Sequence, residues 1–400
     1  MKPELSSELD GIRKEFNVSD EYLVQFSNDF YNDMIEKKML KMLRSYINVN
    51  DAGIAKDECI AIDIGGSNIR IGKFRLENKK VIAEKIVKFP LRNESVDYTT
   101  SKFSLKDIFA ITLEKILPFI DREKEYPIAV TISFGISSNG KCSAKIVELS
   151  KGFRLSDTIG KDVNEVLQEV ISDLHLKMCP VAIVNDCVST LVTSRFYDTT
   201  SDISMVVGTG HNASFINTEG EIINIESANF SQSDLLTKYD REYLKTIPNE
   251  ANKLLEVMIG GRYIGKIGEI ILNDFVDKKL LDDYIKIDSK VLTEAVSSEA
   301  FDDFSYSPKE IIKEIGKILF ERAARLIAAE IIAIVSFEDR ELKNKHTIVF
   351  DGSVYEKCEF FRNKISETVA SINPRCADNI NYKLMKDASI DGSAIISLLF

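Results

Sequence analysis

An α/β architecture in two domains is what this sequence predicts, and three observations carry the prediction. Short β-branched runs alternate along the chain with segments whose apolar residues recur at helical spacing. The polar, glycine-containing motifs stand at the ends of those runs, where the loops of an α/β fold gather. Finally, 400 residues are too many for one simple core at roughly 100–200 residues per domain.

Taken in order, Ser6–Ile47 predicts helix, with Leu23, Phe26, Phe30, Met34, Met39, Leu40 and Leu43 near helical spacing. Asn48–Lys56 reads as a polar connector. A strand-rich block spans Ile60–Phe74, and Val81–Phe89 is a further strand. Lys106–Ile120 predicts a helix, Ile128–Phe134 a buried strand, Asp162–Leu174 an amphipathic helix and Val181–Val184 another strand. Ser204–Val207 and Ala213–Ile216 flank a glycine turn as a second hairpin. Asn252–Val276 and Pro308–Ser336 are long helices, Thr347–Phe350 is a strand, and Gly392–Leu399 closes the chain as a helix.

Composition narrows the function. Against 52 basic side chains stand 63 acidic ones, and the net charge of −11 opposes a general nucleic-acid or anionic-membrane binder. No apolar run approaches the ~20 residues that span a bilayer, and the polar start MKPELSSELDGIRKEF lacks a signal-peptide core. Six scattered cysteines without a CxxC pair read as reduced, mostly buried thiols, so a cytoplasmic location is the expectation. The three histidines, His175, His211 and His346, are far apart, which leaves little for a zinc site or a histidine triad.

The motifs point to phosphate chemistry. In CIAIDIGGSNIRI (Cys59–Ile71) an apolar strand carries Asp63 into Gly65-Gly66-Ser67-Asn68. Glycines let the backbone approach a bulky anion, and Ser67 and Asn68 add donors for phosphate oxygens. Asp63 stands where a phosphate-bound Mg²⁺ needs an oxygen ligand or a water-mediated anchor. An ordinary Gly-Gly hairpin would read the same way in isolation. Gly208-Thr209-Gly210-His211-Asn212 repeats the logic, as though two halves of a cleft each held one end of a polyphosphate. Between them, the strand Val181–Val184 delivers Asn185-Asp186. Asp186 there can take a proton from a substrate hydroxyl that Asn185 orients, and the same pair can equally cap the following helix.

These blocks resemble the hexokinase/glucokinase family of sugar kinases. Ile60–Arg70 is similar to its first phosphate motif, with Ser67 for a threonine. Ser133-Phe134-Gly135 and Ser150-Lys151-Gly152-Phe153 are similar to its sugar loop, and Asn185–Leu191 to its N-D-T-x-G-T-L signature. Gly208–Asn212 resembles the second phosphate motif, Asn224, Glu226 and Phe230 the next block, and Leu255–Lys266 the one after it. Asp351–Tyr355 reads D-G-S-V-Y as in the family, and Gly392–Ile395 resembles its terminal helix start.

The resemblance implies a two-lobed actin-like ATPase (ribonuclease H-like) fold with a cleft between a small and a large domain. Residues 1–58 would be the N-terminal helical part of the large domain, 59–185 the small domain, 186–385 the large domain, and 386–400 a C-terminal helix returning to the small one. The activity implied is transfer of the ATP γ-phosphoryl group to the 6-hydroxyl of a hexose, with glucose first among candidates. Asp186 would be the general base and Lys151 its catalytic partner; Ser133, Ser150, Lys151, Asn185, Asn212, Glu226 and Glu256 would line the sugar. Gly65, Gly66, Ser67, Asn68, Arg70, Gly208, Thr209, Gly210, Arg262, Gly352 and Ser353 would hold Mg-ATP, with Asp63 reaching Mg²⁺ through water. Arg70 could equally be a surface residue on its strand. Cleft closure on the sugar would exclude water. Hexose and Mg-ATP are the implied partners, and a homodimer is the candidate assembly.

The chain departs from the family pattern at the sugar rim. Gly135 replaces a proline, Ser189 a glycine, Ser227-Ala228 an aromatic-glycine pair, and Glu250-Ala251 a P-G. These changes keep two alternatives open: a sugar sensor with little turnover, and a kinase preferring N-acetylglucosamine. Ser189 is expected to add a side chain near the phosphates. His211, inside the phosphate turn, is either a phosphate contact or a peripheral neutral residue.

Overall fold

The computed structural model describes residues 3–399 apart from 52, 54, 232, 251 and 298–308. Two helices open the chain, α1 (Pro3–Phe16) and α2 (Asp20–Glu36). Ser19 caps the second, its side chain accepting from the Tyr22 N–H. The helical reading of Ser6–Ile47 holds only as far as Glu36. Lys37 turns left-handed at φ 57° and returns its N–H to the Asp33 carbonyl. The Asp33 carboxylate then takes the N–H groups of Met39 and Leu40, and Leu43 already belongs to β1 (Leu43–Asn48). Leu40 imitates the helical pattern because, from a loop, it plugs the same core that α2 covers.

The first lobe follows: β2 (Glu58–Ile64), β3 (Asn68–Glu77), β4 (Lys80–Pro90), α3 (Leu105–Glu114), β5 (Tyr126–Ile132), β6 (Ile136–Gly140), β7 (Ser143–Ile146), α4 (Val163–Asp173) and β8 (Met178–Asn185). Its sheet runs β4-β3-β2-β5-β8, the first three antiparallel and the last three parallel. The helix expected over Lys106–Ile120 ends at Glu114. Only a 3₁₀ turn, Leu117–Phe119, comes after it, because Pro118 has no N–H to continue the ladder.

The second lobe holds α5 (Asp186–Tyr197), β9 (Ser201–Val207), β10 (His211–Ile216), β11 (Glu221–Asn224), α6 (Lys238–Leu244), α7 (Leu254–Ile259), α8 (Gly261–Asp277), α9 (Ser289–Ser297) and α10 (Lys309–Glu338). Then come β12 (His346–Asp351), α11 (Ser353–Lys357), α12 (Glu359–Ile372), α13 (Pro374–Ala377), β13 (Ile380–Leu384) and α14 (Ala388–Leu399). The sheet order is β1-β11-β10-β9-β12-β13. The helix expected over Asn252–Val276 is two helices, since extended Gly260 (φ −66°, ψ 135°) breaks it between α7 and α8. Pro308, expected to begin the next helix, lies outside the described residues. That helix, α10, is buried along most of its length, and its Arg322 makes a two-pronged pair with Asp240 at 2.6 and 2.9 Å.

The two sheets share one plan: an antiparallel hairpin followed by two parallel strands, with a glycine turn at the same hairpin in each. The fold is therefore mixed α/β in two lobes. Helix α14 crosses back to the first sheet, where Ser393 and Ser397 donate to the carbonyls of Ile62 and Ile60 at 3.3 and 3.2 Å. None of the described helices is long and apolar enough to cross a membrane.

Candidate active site

The two glycine turns meet face to face. In the β2–β3 turn the Gly65 N–H returns to Asn68, and in the β9–β10 turn the Gly208 N–H returns to Gly210. Ser67 and Thr209 touch across the gap through their hydroxyls at 2.9 Å. A Cβ at Gly210 would fall 2.0 Å from a Glu256 oxygen, so only glycine lets the turn lie on that carboxylate. Gly352, at φ 110°, carries the β12 end to within 2.4 Å of the Val207 carbonyl, measured from an added Cβ. The cleft left between these turns is about 330 Å³. Asp63, Gly65, Gly66, Ser67, Asn68, Arg70, Ser133, Lys151, Asp186, Gly208, Thr209, Gly210, Gly352 and Ser353 all line it. Arg262 lies instead in a neighbouring cavity that shares Gly66, Ser67, Gly208, Thr209 and Ser353.

Beneath the cleft floor lies a buried polar chain. Asn185 caps α5, its side chain accepting from the Cys187 N–H at 3.0 Å, so the capping role is real. Asp186, the first residue of α5, points one carboxylate oxygen at Lys151 Nζ, 3.4 Å away. Lys151 reaches it from a left-handed turn, φ 56°, in the loop after β7. Asn212 donates to Asn185 and Asn224, and Asn224 donates to Glu226 at 2.8 Å. Glu256 accepts from the His211 N–H and the Tyr263 hydroxyl. Ser150 is buried in the same loop as Lys151.

Two family models, both described as Hexokinase, match residues 8–196 and 202–399. The chain belongs to the hexokinase family. Hexokinase-7 of Oryza sativa subsp. japonica is 26% identical over 90% of this chain and 88% of its own. Hexokinase-2, chloroplastic, of Nicotiana tabacum is 27% identical over 90% and 82%. A hexokinase from Schistosoma mansoni complexed with glucose shares the fold, at TM-score 0.84 and 23% identity over 98% of both chains. The protein is thus an ATP-dependent phosphotransferase that phosphorylates a sugar.

In this hexokinase Asp63 is buried, which raises its pKa against the opposing pull of Arg70. One Asp63 oxygen accepts from Arg70 Nε at 2.8 Å, while the other, Oδ1, is buried without a partner. That orphaned oxygen, in a cleft that also holds Asp351, fits a hydrated hard cation such as Mg²⁺. Arg70 is no surface residue: it ties Asp63 to Asp387 and Ser389 at the start of α14. Burial works against the Lys151 ammonium, but Asp186 and Glu256 outweigh it and its pKa is raised. Glu226 is raised by burial, chiefly opposed by Lys253.

Two side chains sit elsewhere than expected. Ser189, expected near the phosphates, has its hydroxyl on Thr131 at 2.5 Å, under α14. The His211 ring turns away from the phosphate turn and meets Glu330 of α10 at 2.6 Å, both fully buried. Sequence reasoning missed Lys253, and also Asp351 and Lys88, which line the cleft with the residues named above. Lys253 lies three residues before Glu256, but a lysine beside an amphipathic helix reads as a solvated charge. Asp351 stood in a quoted motif, and only the fold turns it into the cleft.

Proposed function

We propose that this hexokinase transfers the ATP γ-phosphoryl group to the 6-hydroxyl of a hexose, glucose first among candidates. The observation that carries the reading is the buried Lys151–Asp186 pair on the floor of a cleft walled by two glycine turns. Asp186 would take the hydroxyl proton as the oxygen attacks phosphorus, a step that needs mainly positioning and charge neutralisation. Lys151 would stabilise charge passing to the transferred group. Asn185, Asn212, Glu226, Glu256, Ser133 and Ser150 would bind the sugar, their acceptors and donors matching a polyol's hydroxyls. Gly65, Gly66, Ser67, Asn68, Gly208, Thr209, Gly210, Gly352 and Ser353 would cradle the triphosphate, with Arg70 and Arg262 as its counter-charges. Mg²⁺ would be anchored by Asp63 through water and would neutralise phosphate charge. The relative from Schistosoma mansoni, complexed with glucose, supports that sugar.

Residues 59–185 act as the small domain and 186–385 as the large one, with 1–58 packed on the latter and 386–400 returning to the former. Closure of the two on the sugar would exclude water. The test is a coupled assay with glucose, fructose, mannose and N-acetylglucosamine, wild type against Asp186→Ala. Turnover of one sugar that falls by ~10²–10⁴-fold in the variant supports the reading. No turnover on any sugar, with calorimetric sugar binding intact, replaces it with a sensor.

A further inference from the structure

Lys253 is a buried lysine that phosphoryl transfer itself does not employ. It immediately precedes α7 and is 3% exposed. Its Nζ lies 3.3 Å from a Glu148 carboxylate oxygen. The two come from different lobes. Lys253 leads into Leu255 and Val257 of the second lobe's core, whereas Glu148 follows β7, whose Ile146 packs in the first. The Glu148 N–H donates to the Gly135 carbonyl, and a Cβ on Gly135 would stand 3.2 Å from Glu148 Cβ. The lost proline at 135 and the acid at 148 thus meet in one tight turn aimed at the other lobe.

The ammonium serves more than one acid. Burial would strip its proton, but Glu256, Glu226 and Glu148 together hold its pKa above the ordinary lysine value. Lys253 is in turn the largest force opposing the rise that burial imposes on Glu226. Removing Lys253 leaves these carboxylates without their cation, and removing Glu148 leaves the ammonium without its direct partner, which is where the cost of breaking the pair lies.

We propose that Lys253 is a positioning residue for the hexose site: its ammonium, gripped by Glu148 across the cleft, orders Glu226 and Glu256 as sugar acceptors when the lobes are together. This rests on the hexose-kinase reading above. The consequence is that sugar affinity, more than nucleotide affinity, depends on a pair contributed by both lobes.

The experiment is a double-mutant cycle with Lys253→Met and Glu148→Gln, reading KM for the sugar and for Mg-ATP. Each single variant should raise the sugar KM by about tenfold, with the Mg-ATP KM moving less than twofold. The double variant should be no worse than the worse single one. In Lys253→Met the acidic limb of kcat/KM for the sugar should move to higher pH, because Glu226 loses the cation that most opposes its burial; Lys253→Arg should restore it. Additive losses, an equal rise in both KM values, or an unmoved acidic limb would overturn the proposal. Should Lys253→Met fail to fold, Glu148→Gln, whose side chain is 29% exposed, carries the KM comparison alone. Should the wild type turn over no hexose, the kinase reading fails instead. Calorimetric glucose binding by wild type and Glu148→Gln then decides the ion pair, equal affinities sinking it.

Discussion

Arg70 shows how a single side chain acquires a role that its strand position does not announce. On β3 it could have faced water; instead it neutralises Asp63 and reaches Asp387 and Ser389, more than three hundred residues away in sequence. Arg70→Met should therefore cost about 3 kcal/mol in urea unfolding, because Asp63 would be left buried without its cation. The same variant should raise the KM for Mg-ATP more than that for sugar. Unchanged nucleotide affinity would reduce Arg70 to a structural strut. His211 is the converse case: a residue inside a phosphate motif whose side chain belongs to the core behind it. Its backbone N–H, not its ring, touches the site, by way of Glu256.

Among the elements, α5 and α14 cross where Gly392 leaves no room for a side chain. A Cβ there would meet the Ser189 carbonyl at 2.0 Å. Gly392→Ala must push the helices apart, and we expect a loss on the order of 2 kcal/mol in stability. Turnover should fall with it, since α5 begins at Asp186 and α14 carries Ser389 to the Asp63 carboxylate. A variant with unaltered melting temperature would show that the crossing relaxes freely. The strands β2, β5, β8, β9 and β12 were legible because each is a compact β-branched run. The end of α2 and the break at Gly260 were not. In both places apolar residues go on filling the same core after the backbone has left the helix, so the spacing persists while the helix does not.

Over the whole molecule, the repeated sheet plan places the two glycine turns in opposition, and contacts such as Ser67–Thr209 and Lys151–Asp186 bring residues of the two halves together. If closure depends on the sugar, saturating glucose should shrink the X-ray scattering radius of gyration; an unchanged radius would argue against it. A second prediction concerns pH. Burial, reinforced by Asp202, lifts Glu338 at the end of α10 from near 4.5 to about 7. Across that window the folded chain keeps a proton that the unfolded chain has released, so stability falls as pH rises from about 5 to 7 and then levels. Glu338→Gln removes this penalty of about 3 kcal/mol. Its advantage over wild type should be larger at pH 7.5 than at pH 5 by that amount in urea unfolding, and an equal difference at both would refute the assignment.

What the sequence determined by itself is local. Alternation of β-branched residues made strands, glycine pairs made tight turns, and the short donors and acids at strand ends pointed to phosphate chemistry, all within a few residues of one another. Which charges neutralise which was decided only by the tertiary structure. Lys253 with Glu148 and Arg70 with Asp387 are pairs drawn from distant segments. A charge is tolerated in the interior only where the fold brings its partner, and no spacing along the chain encodes that distance.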